Sequence, residues 1–212
     1  MKQLINILIR TSDRPNYFAR CLNSVLQQTY KNYRVIVSAD NNKTKAYVNI
    51  YGLQCINVKS MPRTQEQTAP WNLYLNDLMD QVDDGWIIFL DDDDYLADEN
   101  VLENIAKQLD NKYKLYVWQM QWPNGRKIPE DTYFHKPFER KHIGMPCFTF
   151  HSVIKDKIRF DAMRAGDFRV ISELEKYTDK INWIRQVYVK IGNTGLVGKK
   201  VDLSRSDVIE MK

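Results

Sequence analysis

Cysteine is scarce in this chain and badly placed for cross-linking. There are three, Cys21, Cys55 and Cys147, far apart and odd in number, with no CxxC pair. That excludes a disulfide framework and a cysteine zinc site, and it points to a reduced, cytoplasmic setting. Long apolar runs are missing as well. None approaches the roughly 18 residues that a membrane-spanning helix requires, so membrane association would be peripheral. The opening stretch "MKQLINILIRTSDRP" has a short apolar run that stops at Arg10 and lacks a cleavage site. It reads as a first strand rather than a signal peptide. Glycine is absent from "RTSDRPN", the segment after that strand. The Gly-rich phosphate cradle of a nucleotidyltransferase is therefore missing. The histidines, His135, His142 and His151, share no metal-ligand spacing. The first two read as structural or surface residues, and His151 either packs or approaches a metal. Internal repeats and low-complexity tracts are also absent. The formal charge is only +4, which suits anionic ligands such as nucleotides but does not by itself imply nucleic acid.

What is present is the pattern of an α/β fold. A chain of 212 residues suits one domain and buries roughly 70% of its unfolded surface. "LINILI" (4–9) is an apolar run bounded by polar residues, hence a buried strand. Phe18, Cys21, Leu22, Val25 and Leu26 then recur with helical spacing. "RVIVSA" (34–39) is a second buried strand, and "DNNKT" after it reads as a polar loop. Strand, helix, strand is the signature of a parallel sheet. A weaker strand is expected at "QCINVK". Trp71, Tyr74, Leu75, Leu78, Met79 and Val82 form another helical stripe, opened by Pro70. "WIIFL" is the next strand, a helix follows over 99–109, and "KLYVWQM" alternates as a strand. After Trp122 the chain is turn-rich and reads as a long surface excursion. "RVISELEKY" predicts a short helix, "RQVYVKI" a strand, and "GNTGLVGKK" a basic, glycine-rich loop.

Four aspartates, Asp91 to Asp94, follow directly on the strand "WIIFL". Like charges side by side repel one another unless something positive compensates them. Ligands of open α/β sheets bind beyond the carboxyl ends of strands. Strand alternation would bring Asp91 and Asp93 to one side. Two carboxylates there make a hard-oxygen site for Mg²⁺ or Mn²⁺, with open positions for substrate phosphates. The alternatives are a solvated loop, or acids that favour the start of the next helix. An EF-hand is excluded, because its Gly and distant Glu are missing.

The stretches "NILIRTSDRPNYFARCLNSVLQQTYKNYRVIVSADNN" and "GWIIFLDDDDYLAD" together resemble the first half of family 2 glycosyltransferases with the GT-A fold, in order and spacing. The second stretch is similar to the segment that holds their DxD motif. The resemblance implies an α/β, GT-A (Rossmann-like) architecture: a mostly parallel central sheet flanked by helices in a single domain. Residues 1–120 would form the nucleotide-sugar and metal half, and 121–212 the acceptor side with its C-terminal loop. It implies Asp91 and Asp93 on the metal, and Asp91 and Asp92 beside the donor. Thr11 matches the loop around the nucleobase and ribose, although Arg10 stands where the family usually has Pro. Asp40 matches the aspartate that binds the nucleobase, or is a plain turn residue before Asn41. Asn72 either supports the donor pocket or, with Asn76, lies on a solvated helix face. Arg63 meets a phosphate or water. Asp167, in "RAGDFRVISEL", matches the place of the base that deprotonates an acceptor hydroxyl. It could otherwise cap the helix that follows; Asp161 is its nearest rival. Lys199 and Lys200 either close over a diphosphate or stay solvated.

The function so implied is a metal-dependent, inverting transfer of sugar from a nucleotide-diphosphate donor, UDP-sugar first, with Mn²⁺ or Mg²⁺. The acceptor would be a hydroxyl on a surface glycan. A hydroxylated base in DNA is the alternative acceptor, with Trp118, Trp122 and Tyr133 available to stack. A non-catalytic nucleotide- or sugar-binding protein is the alternative from a different class.

Overall fold

The computed structural model describes residues 2–192. Lys199 and Lys200, expected to close over a diphosphate or stay solvated, lie outside these described residues. Strand β1 (Ile5–Thr11) is buried on both faces, as a central parallel strand must be. Helix α1 (Pro15–Leu26) opens with Pro at a tolerated position and buries Phe18, Cys21, Leu22 and Val25 against the sheet. Strand β2 (Tyr33–Ala39) follows. The segment expected to be a polar loop folds instead as helix α2 (Asn42–Asn49). Asn41 caps it, accepting the Thr44 N–H at 2.8 Å. Only Thr44 and Val48 of α2 are buried, so its apolar stripe is too thin to read from sequence.

Strand β3 (Gln54–Asn57) is the short edge. A 3₁₀ turn over Pro70–Leu73 leads into helix α3 (Tyr74–Asp80), as its stripe predicts. Then come β4 (Trp86–Asp91), β5 (Asp94–Leu96), α4 (Val101–Ala106) and β6 (Lys114–Gln121). The turn-rich stretch 122–146 holds β7 (Lys127–Ile128) and a 3₁₀ turn over Asp131–Tyr133, and it ends in a second over Met145–Cys147. Beyond it come the buried strand β8 (Phe148–His151), which the sequence reading left unassigned, and a third 3₁₀ turn. Helix α5 (Gly166–Glu175) and strand β9 (Lys180–Ile191) complete the described chain.

The sheet order is β3-β2-β1-β4-β8-β6-β9-β5, with β7 on the side of β6. From β3 to β4 every pairing is parallel. Beyond β4 the sheet is mixed: β8 runs antiparallel to both neighbours, β9 parallel to β6, and β5 antiparallel to β9. "Mostly parallel" thus fits the first half closely and the second loosely. No α-helix lies between β6 and β8 to serve as a parallel crossover, so the chain returns antiparallel.

β5 shows that the sheet curls. It starts three residues after β4 ends, so Asp91 and Asp94 have Cα atoms at most about 11 Å apart. Laid flat, the four strand spacings between β4 and β5 would span about 19 Å. The far edge must therefore fold back over the end of β4. Irregular register between β6 and β9, around Val117 to Met120, marks where extra bend enters.

Trp86, Trp118, Tyr116, Phe18, Phe89, Phe148 and Phe150 are fully buried in one continuous core. Trp118 is therefore no stacking platform: its indole N–H donates to the Pro146 carbonyl at 2.7 Å. The other two proposed stackers are also engaged, Tyr133 face-on with His142 and Trp122 beneath Arg126. No described helix is long and apolar enough to cross a membrane.

Candidate active site

β1 pairs with β2 on one side and β4 on the other, so the strand order reverses at β1. The crevice beyond the carboxyl ends of β1 and β4 is where ligands bind in such sheets. Arg10 and Asp91 are register partners there, on neighbouring strands. The Arg10 fork grips Asp91 through Nε to Oδ1 at 2.6 Å and Nη2 to Oδ2 at 3.0 Å.

β4 ends at Asp91, so strand alternation stops there. Asp92 and Asp93 form a turn, and Asp94 starts β5. Asp92 is completely buried. Its Oδ2 accepts the Thr11 hydroxyl at 2.7 Å and Arg14 Nε at 3.2 Å, and its Oδ1 is in close contact with Arg14 Nη2. Arg14 Nη1 reaches Asp93 Oδ2 at 3.1 Å. Arg20 donates to the Asp93 carbonyl at 2.7 Å and lies between the rings of Tyr17 and Tyr95. The four-aspartate run is thus compensated by this chain's own arginines. Sequence reasoning assigned that task to a metal alone and missed Arg14 and Arg20. Arg10 and Arg14 follow "LINILI" closely, but their partners lie about 80 residues away.

Asp91, Asp93 and Asp94 place carboxylate oxygens within 4.8 Å of one another. The turn, not alternation, produces this grouping, which is why Asp94 was not foreseen. Burial and the neighbouring carboxylates push Asp94 well above the carboxylate range. Burial raises Asp92 to about 7, against the pull of Arg14. A carboxyl raised by folding stabilises the fold fully only below its ordinary value, and that stability is lost as pH rises through the folded value. Without divalent cation, thermal stability should therefore be higher near pH 5 than near pH 8. Asp92→Asn should flatten this fall in a series of melting curves.

Gly192, directly after β9, closes the cluster. A Cβ there would collide with Arg20 Nη2 and the Asp93 carbonyl oxygen. Gly192→Ala is expected to cost about 1–3 kcal/mol in urea unfolding, as overpacking does.

The Thr11 side chain is sunk between Asp92 and Tyr47, whose hydroxyl lies 2.6 Å from it. Asp40, half-buried, accepts from Ser12 Oγ at 3.0 Å and from Asn41 Nδ2 at 2.8 Å. Asp13 N–H donates to Thr44 Oγ1 at 3.0 Å, so the loop after β1 is tied to the start of α2. Arg63 is exposed and lines a shallow depression with Thr64, Gln65 and Thr68, apart from the acidic cluster. His151 pairs with Trp86 at the opposite end of β4 and approaches Asp84, so it is not a candidate ligand of the cluster.

Asn72 and Asn76 do not lie on a solvated face. Asn72 is 5% exposed; its Oδ1 accepts Arg10 Nη1 at 2.9 Å and its Nδ2 donates to the Met163 carbonyl at 2.8 Å. Asn76 clamps the backbone of Phe160 through both its amide atoms. These bonds sew the 160–166 segment onto the helix before β4. Ala165 takes a left-handed φ of 61° directly before α5, where a non-glycine residue is strained. Asp167 is in the first turn of α5. Burial raises its carboxyl; the Phe168 N–H and the guanidinium groups of Arg10 and Arg169 oppose this, while Asp91 adds to it. Asp161 is exposed and gripped by Arg169, Nε to Oδ2 at 2.7 Å. Burial raises it, but the Arg169 bonds and charge and the Met163 N–H together outweigh this and hold it below the usual range.

A parallel half-sheet with an acidic cluster at its switch point, continued by a curled mixed half, is the architecture of an α/β domain of the GT-A class. The glycosyl transferase family 2 profile matches residues 7–174, and the chain belongs to that family. It is 26% identical over 133 residues to a poly(ribitol-phosphate) beta-glucosyltransferase of Bacillus spizizenii, across 61% of this chain and 21% of that protein. Among solved structures it is similar to S. aureus TarS 1–349 in complex with UDP-GlcNAc, with a TM-score of 0.73 at 19% identity, covering 99% of this chain and 64% of that one. It is also similar to the mannosyltransferase PcManGT of Pyrobaculum calidifontis in complex with GDP-Man and Mn²⁺, with a TM-score of 0.66 at 12% identity, covering 92% of this chain and 59% of that one. The chain thus spans about a fifth of the curated relative and under two thirds of these solved chains.

Proposed function

We propose that this domain transfers a sugar from a nucleotide-diphosphate donor to an acceptor hydroxyl, with inversion at the sugar carbon. The observation that carries the reading is the meeting of the Asp91, Asp93 and Asp94 carboxylates at the β1–β4 switch point, with Asp167 within electrostatic reach. The UDP-GlcNAc bound by TarS and the GDP-Man bound by PcManGT support a nucleotide sugar, and the former favours UDP. Residues 1–120 would hold the donor and 121–212 face the acceptor. The poly(ribitol-phosphate) named for the B. spizizenii relative supports a polyhydroxylated polymer as acceptor.

The donor set of the cluster fits a hard divalent cation: three carboxylates, oxygen only, two of them partly exposed. Asp91 and Asp93 would hold Mn²⁺ or Mg²⁺, with Asp94 beside them. When bound, the ion supplies Lewis-acid stabilisation of the charge on a departing nucleoside diphosphate. The remaining work belongs to side chains. Asp92 anchors Arg14 and Thr11, and so holds the loop that would border the nucleoside. Asp40 would accept from the base. Asp167 would accept the proton of the attacking hydroxyl; its raised carboxyl makes it a better base than the Arg169-bound Asp161. The cysteines Cys21, Cys55 and Cys147 are unpaired, which fits the reduced setting in which nucleotide sugars are made.

The test is release of free nucleoside diphosphate from a panel of UDP-, GDP- and dTDP-sugars with Mn²⁺ or Mg²⁺. Release from one donor class, abolished by chelator, is expected. No release from any donor with either ion would overturn the reading.

A further inference from the structure

Arg10 uses two separate edges of one rigid guanidinium. Nε and Nη2 hold Asp91, while Nη1 donates to Asn72 Oδ1 at 2.9 Å and lies 3.4 Å from the Trp71 carbonyl. Asn72 is likewise bifunctional. Its acceptor serves Arg10, and its donor serves the Met163 carbonyl, four residues before Asp167. Gly166, directly before Asp167, packs so tightly on Asn72 that a Cβ there would lie 2.8 Å from Nδ2. Both side chains are largely removed from water, Arg10 with 16% and Asn72 with 5% exposed. Neither link is therefore easily replaced by solvent.

We propose that Arg10 and Asn72 are positioning residues that couple the acidic cluster to the segment carrying Asp167. The inference rests on the reading of Asp91 as part of the donor site and Asp167 as the base. Any cation that takes the Asp91 oxygens competes with the Arg10 fork. The guanidinium is planar, so disturbing one edge moves the other, and Asn72 passes the change to Met163 and Gly166. Arrival of the donor is thereby reported to the base across a chain of three hydrogen-bonded side chains.

The coupling can be read without any ligand, by hydrogen–deuterium exchange on the whole chain. Asp91→Asn, which weakens the fork, should speed exchange in 160–168 about fivefold or more and leave 33–39 unchanged. In an Arg10→Met or Asn72→Asp background the same substitution should change 160–168 less than about twofold. Asn72→Asp keeps an acceptor for Arg10 and removes the donor to Met163, but it also sets a carboxylate against Arg10, so Arg10→Met, which adds no charge, is the matched second background. An Asp91→Asn effect of equal size with and without the link, or no effect at all, overturns the coupling. With an active donor, Asn72→Asp should lower kcat about 10- to 100-fold at a donor KM within about threefold, as misplacement of a base does. A rise in KM alone would make Asn72 a donor contact and overturn the proposal. Absence of turnover in the unmodified protein would defeat the transferase reading, while exchange would still decide the coupling.

Discussion

Asp167→Asn should lower kcat by about 10²- to 10⁴-fold, the usual worth of a positioned general base. Asparagine keeps the shape and the bond from the Phe168 N–H but cannot take a proton. The substitution leaves the Arg10–Asn72–Met163 bonds in place, so binding of the nucleoside diphosphate should stay within about threefold. Folding should not suffer. Removing a carboxyl that burial and Asp91 hold above its ordinary value relieves a cost rather than a contact. Asp161→Asn is the matched control. It breaks the exposed pair with Arg169 and should change kcat by less than about threefold, because exposed pairs contribute little. If Asp161→Asn abolished turnover and Asp167→Asn did not, the base would have been misassigned.

Asp93→Asn has the second large expected effect. Asp93 shares Arg14 with Asp92 and groups with Asp91 and Asp94. A neutral amide there removes one hard ligand and one negative charge. Activity at saturating donor should fall at least about 100-fold, the scale of a lost charge-stabilising group. The metal-free protein should melt within a few degrees of the unmodified chain, because the relief of like-charge repulsion offsets the weakened pair with Arg14, whose N–H the amide oxygen can still accept. Unchanged metal-dependent turnover in Asp93→Asn would remove the cluster from the chemistry.

Much of this was legible in the sequence. The strands "LINILI" and "WIIFL" and the stripes of α1 and α3 are strongly periodic, because each buries a full face against one sheet. The four aspartates stood out because nothing local explains them. What escaped reading depended on partners distant in the chain. α2 has too little apolar surface to show a period and is started by the Asn41 cap. β8 is buried, yet its four residues directly follow the turn-rich stretch 122–146 and are too few to show a period. For Asn72 the sequence leaves a donor-pocket role and a solvated helix face both open, because polar residues off a stripe are usually solvated, whereas here the 160–166 segment covers it. Arg10, Arg14 and Arg20 were invisible as a group, since only the β1–β4 register and the turn at Asp92 and Asp93 bring their targets within reach.

The central claim, a donor site at this cluster, is tested most directly by thermal unfolding of the unmodified chain with UDP, GDP, CMP and dTDP, each with and without Mn²⁺. A nucleotide at about 100 times its dissociation constant stabilises by roughly 2.7 kcal/mol, which in a domain of this size is about 5–10 °C. Such a shift is expected for UDP; it should require Mn²⁺ and vanish in Asp93→Asn. No shift with any of the four nucleotides in the presence of Mn²⁺ would contradict it.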